Sequence, residues 1–427
     1  MTRAALAAIL LLLAVAPAGA QTPSPTSPQP DRATQHKLDD LYNNALALQK
    51  AGDLDQALDL YNQYISIRQD TAVVYNNRGS IYRRKQDYAA ALADYSKAIA
   101  LDSKTALFYH LRGVVYKAEG KCDLAIPDLN LAISLGSPAE LPPSYEVRGL
   151  CFRDAKDYAK AIADFDQAIK LDVRGLGLDE FYANRAFTKR ASGDNQGAIA
   201  DFNEAIKRDP RNAAYFTGRG YSFSALKNYN AALTDYTNAI ALEPTAGRYN
   251  DRGVFHSRNE DYREALNDFE QAIKLDPNFF PAFVNRAELH ANRRDFDQAL
   301  EDYDTALRLK PGEPHILNGR CWTLALVGRN IDSAIADCET ALTETPSNGF
   351  VLDSLGFAYF RKGDFDQAIA QYNLSLAVRP DSAVTLYKRG IAENRKGDTQ
   401  DGRADIARAL AADPHAGDEM TRNGIRP

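Results

Sequence analysis

The chain has one Trp and two Met in 427 residues, and its four Cys include no C-x-x-C pair. So few cysteines exclude a cysteine-rich metal protein, and the missing C-x-x-C suggests neither redox catalysis nor zinc binding. Basic charge is also short. There are 51 Lys and Arg against 57 Asp and Glu, a net charge of -6, which excludes a strongly basic nucleic-acid binder. No H-E-x-x-H, P-loop or G-x-S-x-G occurs. Gly175-Leu176-Gly177 is a lone G-x-G with no third glycine, and carries no nucleotide signal. No apolar run reaches the roughly 18 residues of a membrane helix. What is present is ordinary globular material, 45% hydrophobic and 25% charged. That suffices for two or three domains or for one long repeat array.

Residues 1–20, MTRAALAAILLLLAVAPAGA, read as a signal peptide. Arg3 supplies a basic start, residues 4–16 an apolar stretch, and Ala18-Gly19-Ala20 a small-x-small cleavage site. The alternative, a membrane anchor, fails on length: thirteen apolar residues do not span a hydrocarbon core of about 30 Å. No basic stop-transfer flank follows. No Cys near the cleavage point supports a lipid anchor. The expected location is outside the cytoplasm, in a bacterial periplasm or secreted. No integral membrane segment is expected after cleavage, which leaves 50 basic and 57 acidic side chains. Residues 21–37 are read as a flexible Pro/Ser/Thr-rich spacer and 417–427 as a disordered polar tail.

From Leu38 onward the chain repeats itself. Small residues recur at Ala45, Gly79, Gly113, Gly149, Ala186, Gly220, Gly253, Ala287, Cys321, Gly356 and Gly390, mostly 34 residues apart. About twelve residues later comes a second small residue, such as Ala57, Ala91 and Ala265. A large side chain follows it (Tyr61, Tyr95, Leu129, Phe165, Phe202, Tyr236, Phe269, Tyr303, Tyr372), and then a third small residue such as Ala98 or Ala272. Pro210, Pro244, Pro277, Pro311, Pro346, Pro380 and Pro414 close seven of the units. Apolar spacing within each unit is that of two amphipathic helices. The small positions let these helices approach, the large residue fills the gap, and the proline marks a turn. Pairs such as Gly52-Asp53 and Gly363-Asp364 supply an inner turn and a helix cap. Extra residues near 137–142 and 173–178 predict longer loops.

This pattern resembles the tetratricopeptide repeat over residues 38–416, in eleven units. The resemblance implies an all-α fold, a right-handed superhelical solenoid of about eleven helix-turn-helix repeats. Such units contact only their neighbours and form one elongated domain. Unit one, with Leu48 and Tyr64, and unit eleven, with Gly402, depart from pattern as end caps do.

Two positions vary together. Arg precedes the first small residue in nine units (Arg78, Arg112, Arg148, Arg185, Arg219, Arg252, Arg286, Arg320, Arg389), where the family usually has Leu. The same nine carry Asp just before the large residue of the second helix (Asp94, Asp128, Asp164, Asp201, Asp235, Asp268, Asp302, Asp337, Asp405). The two units without the Arg, at Asn44 and Leu355, also lack the Asp, having Leu60 and Gln371. Pairing within a unit explains all eleven, so nine Arg–Asp bridges joining helix A to helix B are predicted. The alternative, an arginine ladder for an anionic polymer, is neutralised by the matched Asp.

Register also pairs the cysteines. Cys321 and Cys338 take the two packing positions of unit nine. Cys122 opens the second helix of unit three, and Cys151 lies on the first helix of unit four. Disulfides Cys122–Cys151 and Cys321–Cys338 are predicted, against a reading as buried free thiols. His256 and His290 share a first-helix core position and read as packing. No cofactor and no metal are expected, and no segment remains to hold a catalytic domain.

In the resembled family, helix A of each unit lines a concave groove. Here that row holds Phe187, Tyr221, Trp322 and Phe357. One turn later come Arg83, Lys117, Arg153, Arg190 and Phe360, and Phe350 and Tyr387 lie close by. The basic residues fall early and the aromatics late. Some of these side chains pack only between neighbouring A helices. Read functionally, the aromatics are buried anchors and the basic residues orient an acidic segment. Two family mechanisms are weak. A Lys/Asn carboxylate clamp lacks its Asn. An asparagine ladder is matched at Asn43, Asn77, Asn184 and Asn285 but is interrupted by Leu111, Val147, Gly218, Gly319 and Lys388. The expected function is a non-catalytic interaction scaffold that binds a partner protein or peptide in the groove. The alternative is a cell-wall or polysaccharide-binding accessory protein, and a lytic enzyme lacks its constellation. Neither the partner's identity nor the oligomeric state is legible.

Overall fold

The computed structural model describes residues 30–426. The leader at 1–20, and the spacer up to residue 29, lie outside the described residues. Among those described, the chain is all-α, with 23 α-helices and one short 3-10 turn, Pro138–Glu140. Twenty-two of the helices pair as helix A and helix B of eleven repeats.

The described residues fall into two compact bodies, divided between Ala239 and Ile240. In an array whose units touch only their neighbours, such a division can fall at any junction. The first body holds Arg32–Ala51 with Leu54–Ile67, Ala72–Arg84 with Tyr88–Leu101, and Ala106–Ala118 with Cys122–Leu135. It continues with Pro142–Asp154 and Tyr158–Leu171, Leu178–Ala191 and Asn195–Arg208, then Ala213–Ala225 and most of Tyr229–Leu242. The second holds Ala246–Arg258 with Tyr262–Leu275, Phe280–Asn292 with Phe296–Leu309, and Pro314–Val327 with Ile331–Glu344. Gly349–Lys362 with Phe365–Val378 and Ala383–Lys396 with Thr399–Ala412 complete the repeats. Within each body a helix A packs on its own helix B, on the helix B before it and on the next helix A.

The periodic residues form the core. The helix B alanines Ala57, Ala91, Ala125, Ala161, Ala198, Ala265, Ala299, Ala334 and Ala368 are fully buried, as are Tyr61, Tyr95, Phe165, Phe202, Phe269 and Tyr372. The first small position is small because this ring lies against it. A Cβ on Gly253 would come within 2.7 Å of Phe269, and one on Gly356 within 2.7 Å of Tyr372. The same ring also touches the next repeat, since a Cβ on Gly218 would meet Phe202 at 2.4 Å.

Between helix A and helix B the chain passes through the left-handed region. Gly52, Gly193, Gly363 and Gly397 take this position in four repeats, whereas Gln86, Lys156, Lys227, Glu260 and Arg294 take it in others with φ of 60 to 68°. An aspartate then caps helix B. Asp53, Asp87, Asp157, Asp194 and Asp364 each accept a hydrogen bond from the backbone N–H three residues on, satisfying a donor the helix leaves open.

All nine Arg–Asp bridges are present. Eight are bidentate, with Nε and Nη2 donating to the two carboxylate oxygens at 2.6 to 2.8 Å. In the ninth, Arg389 Nε bonds Asp405 at 2.6 Å while Arg408 takes the other oxygen. The guanidinium does more than was expected of it. Its remaining Nη1 donates to helix B of the preceding repeat, as to Asn62, Ser96, Asn130, Asp166, Asn203, Asp304 and Asn373. Each acceptor directly follows the large residue of its helix. One arginine therefore ties three helices together. Both disulfides are formed as paired by register, with Cα separations of 5.4 Å for Cys122–Cys151 and 5.8 Å for Cys321–Cys338.

Both ends differ from expectation. Asp31 caps a helix that starts at Arg32, inside the stretch read as spacer, because its carboxylate accepts from Thr34 N–H at 2.7 Å. Residues 32–37 are the polar first turns of that helix, and Leu38 is its first buried side chain. The tail read as disordered forms the helix Asp418–Arg422 and buries Met420 and Ile425. It ends in a Schellman motif. Ile425 N–H reaches Met420 C=O at 2.9 Å and Gly424 N–H reaches Thr421 C=O at 3.0 Å, with Gly424 left-handed. This closure brings the two apolar side chains to the same side.

Candidate functional site

The two bodies present different A-helix faces. In the first, the basic row is real but partly spent. Arg83 is 7% exposed, and Tyr95 and His110 lie in its field. Lys117 is half-buried, with Nζ 3.6 Å from Asp154 of the next repeat. Arg153 is half-buried beside the same Asp154. The Arg190 guanidinium lies over two rings, 5.9 Å from Phe187 and 5.0 Å from Tyr221. Phe187 and Tyr221 in turn stand edge-on to the core rings Phe202 and Tyr236 at 4.9 and 5.5 Å. Both keep part of their surface open.

A second set of polar contacts, unseen in the sequence, runs between successive A helices. Asn77 bonds Tyr42, His110 bonds Ser144, and Asn184 bonds Glu146 in the first body. Asn285 bonds Asn250 in the second. Three of the four ladder asparagines are thus engaged inside the protein, and the fourth, Asn43, is exposed in the first repeat. The signal that could have found these contacts is a polar residue recurring at the helix A position that faces the next helix A. Burial sets their protonation. It pushes the Glu146 carboxyl up to about 8, with Glu180 adding to the effect, and pulls His110 down to about 4, with Arg83 adding.

In the second body the aromatics do gather. Trp322 and Phe357 have ring centroids 5.0 Å apart, and Phe357 and Phe360 stack at 6.2 Å. Beneath Trp322 lies a buried ion pair. Lys388, 3% exposed, sits 2.6 Å from Asp353, with its Nζ 4.2 Å from the Trp322 ring centroid. Phe350 is 63% exposed, and the Arg379 guanidinium lies 3.8 Å from its ring centroid. Like Arg83 in the first body, two sequence-predicted contact residues of this body are not on the surface. Phe357 is fully buried and Tyr387 is 5% exposed. Phe357 is enclosed between Trp322 and Phe360, and Tyr387 lies under the C-terminal segment, with Gly417 packed against its ring. Two cavities flank Trp322. One of about 300 Å³ includes Phe350, Arg379, Lys388 and Glu419, and one of about 350 Å³ includes Glu288, Tyr303 and Arg422.

Among the described residues, no group of three or more His, Cys, Asp or Glu side chains could hold a metal, and no helix is long and apolar enough to cross a membrane. Stacked helix pairs, with side chains on the A-helix faces that neither pack fully nor stand free, define a helix-pair repeat protein. The tetratricopeptide repeat pattern matches residues 79–120, 142–172, 186–249, 252–314 and 355–417. The chain belongs to the tetratricopeptide repeat family, whose members generally mediate protein–protein interactions and are typically non-catalytic. None of the curated proteins compared with it matches. Solved structures do resemble it. A tetratricopeptide repeat protein from Parabacteroides merdae is 22% identical, covering 56% of this chain and 94% of its own, with a TM-score of 0.46. Yeast Tom70 is 17% identical over 91% and 100%, with a TM-score of 0.45. YrrB, a repeat protein described as having an unusual peptide-binding site, is 22% identical over 43% and 92%, with a TM-score of 0.37.

Proposed function

We propose that this chain is a non-catalytic scaffold, exported from the cytoplasm, that holds an extended or helical segment of a partner protein on its A-helix faces. The observation that carries this reading is the state of the face residues. Lys117, Arg153, Phe187, Arg190, Tyr221 and Trp322 are all half-buried. They are ordered by neighbours yet still touchable, which lowers the entropy lost on binding. In the first body guanidinium and ammonium groups alternate with rings, which suits a segment carrying carboxylates and apolar side chains. In the second, Trp322 is a large anchor beside two cavities. Export is supported by Arg3, the apolar run behind it and the two disulfides, which persist in oxidising compartments.

The polysaccharide alternative has less support. A sugar platform needs open aromatic faces, and the buried Lys388 takes one face of Trp322 while Arg379 takes one face of Phe350. The test is affinity capture from the exported fraction with wild type, Trp322→Ala and Arg153→Glu, each checked by circular dichroism. Phe357→Ala is a poor probe because it would open a core cavity. A protein held by wild type and lost from a folded variant is the expected result. Equal recovery by all three overturns the groove reading.

A further inference from the structure

The last repeat of an array has no following neighbour, so its A-helix face should be the most open of all. Here the reverse holds. At the register of Phe187, Tyr221 and Val254, all half-buried, repeats ten and eleven carry Phe357 and Ile391, which are 0% and 1% exposed. Trp322 and Phe360 enclose Phe357, and the chain's own C-terminal segment adds to the same apolar cluster, with Gly417 packed on the Tyr387 ring. Met420 and Ile425 belong to the same apolar cluster as Leu324, Phe357, Tyr387 and Ile391. The segment also reaches well beyond the last repeat. Asn423 Oδ1 accepts from Arg294 Nη1 at 3.1 Å, 129 residues back in the chain, and Arg426 C=O accepts from Arg395 at 3.0 Å. A helix that merely capped repeat eleven would not touch repeat eight. The charges match as well. Glu419 borders the cavity that holds Lys388 and Arg379, and Arg422 borders the one that holds Glu288.

We propose that residues 417–426 are an intrachain ligand of the A-helix face of repeats eight to eleven. The partner segment that uses this face competes with them and shares their chemistry. That chemistry is a short helix closed by a left-handed glycine, presenting two apolar side chains across the closure and an acidic residue at the cavity that Arg379 and Lys388 line. The partner half of the proposal rests on the function proposed above, while the tail half stands without it.

The chain's single Trp makes the test direct, because Trp322 lines both cavities beside the tail. Trp322 emission and acrylamide quenching are compared in the full chain, in a chain ending at Ala416, and in full-length Met420→Asp/Ile425→Asp. Circular dichroism confirms the helix content of each. The double substitution keeps the test alive should the shortened chain unfold. Loss of the tail contact is expected to shift emission to the red and raise quenching in both variants. A synthetic peptide of residues 415–426, added in trans, is expected to reverse the change, and the same peptide with both Asp substitutions is not. A tethered tail at an effective concentration of about 1 mM weakens a peptide of about 10 µM affinity roughly 100-fold, so the full chain should take up the peptide that much less readily. Unchanged Trp322 emission in both variants, or no uptake of the peptide by a folded shortened chain, overturns the proposal. If the peptide binds but a captured partner ignores both Trp322→Ala and the peptide, the tail is still the ligand and the groove reading of function falls.

Discussion

Replacing Arg112 and Asp128 by the residues that repeat ten carries in the same places, Leu and Gln, tests the bridge with the protein's own alternative. Asp128 is 7% exposed at its side chain and Arg112 is 21% exposed. Nε and Nη2 donate to the carboxylate at 2.7 and 2.8 Å, and Nη1 donates to Ser96 at 3.0 Å. These bonds hold the guanidinium proton above its ordinary value. Arg112→Leu strips a nearly buried carboxylate of both donors, at the low end of the 3–5 kcal/mol for a broken buried pair, about 3 kcal/mol. Asp128→Gln leaves one acceptor, and the guanidinium keeps some access to water, so about 1.5 kcal/mol is expected. The double variant removes both charges together, as Leu355 and Gln371 do where Leu355 is 3% exposed, and should cost about 1 kcal/mol. The coupling is then about 3.5 kcal/mol. Local hydrogen exchange in Ala106–Ala118 and Cys122–Leu135 is the right assay, because a repeat array need not unfold as one unit. Arg112→Leu should speed exchange there by about 100-fold, and the double variant by under about tenfold. Additive costs, with coupling under about 0.5 kcal/mol, would refute the account of the bridge as one desolvated unit.

Two further outcomes are expected. Glu146 keeps its proton in the folded state up to a pH of about 8, whereas the unfolded chain gives it up near 4.5. Between those values the folded state binds more protons, so stability falls as pH rises, by at most roughly 1.4 kcal/mol per pH unit. His110, depressed to about 4, contributes the opposite slope only below its unfolded value of 6.5. Denaturant titrations at pH 6.5 and 8 should therefore show Glu146→Gln gaining on wild type at the higher pH, and a constant difference would contradict the burial argument. Gln86→Gly relieves a left-handed non-glycine residue and should stabilise repeat two by about 1 kcal/mol, read by exchange of Ala72–Arg84; a loss would mean the Gln86 side chain makes a contact worth more than the strain.

Much of this fold could be read from the sequence, because its information is periodic. Ring, alanine and glycine positions each recur, so one misread unit is outvoted by ten others. The Arg–Asp bridges were legible for the same reason: two repeats that lost both members, at Asn44 with Leu60 and at Leu355 with Gln371, reveal the pairing. What escaped is what occurs once or lies between units. The bond from Nη1 to the preceding helix B was hidden because its acceptor varies among Asn, Ser and Asp. Phe357 was read as surface because its register position is half-buried elsewhere in the array, whereas the position of Tyr387 is buried in most repeats, as at Tyr42, Ala183 and Val284. The segment over Tyr387 is non-periodic, with only two large apolar side chains. Asn423-Gly424 followed by Ile425, six residues past Asp418, was the visible mark of a closed helix there, and composition alone concealed it.

The three-way arginine has a consequence for how such a chain can change over time. Every bond it makes is to its own repeat or to a fixed position in the repeat before it. Duplicating or excising one whole repeat, cut anywhere, therefore returns each arginine to partners of the same kind at the same offsets. Growth and shrinkage by a whole unit leave the internal grammar intact, while an insertion of a few residues inside a helix severs three helices at once. The longer insertions, at 137–142 and 173–178, both fall between repeats, outside the span from any Arg to its Asp, while repeat nine carries a single extra residue between Arg320 and Asp337 and keeps its bridge. Length in this lineage is thus free to vary in steps of about 34 residues, with the C-terminal segment, which must meet particular side chains on repeats eight and eleven, as the part that resists copying.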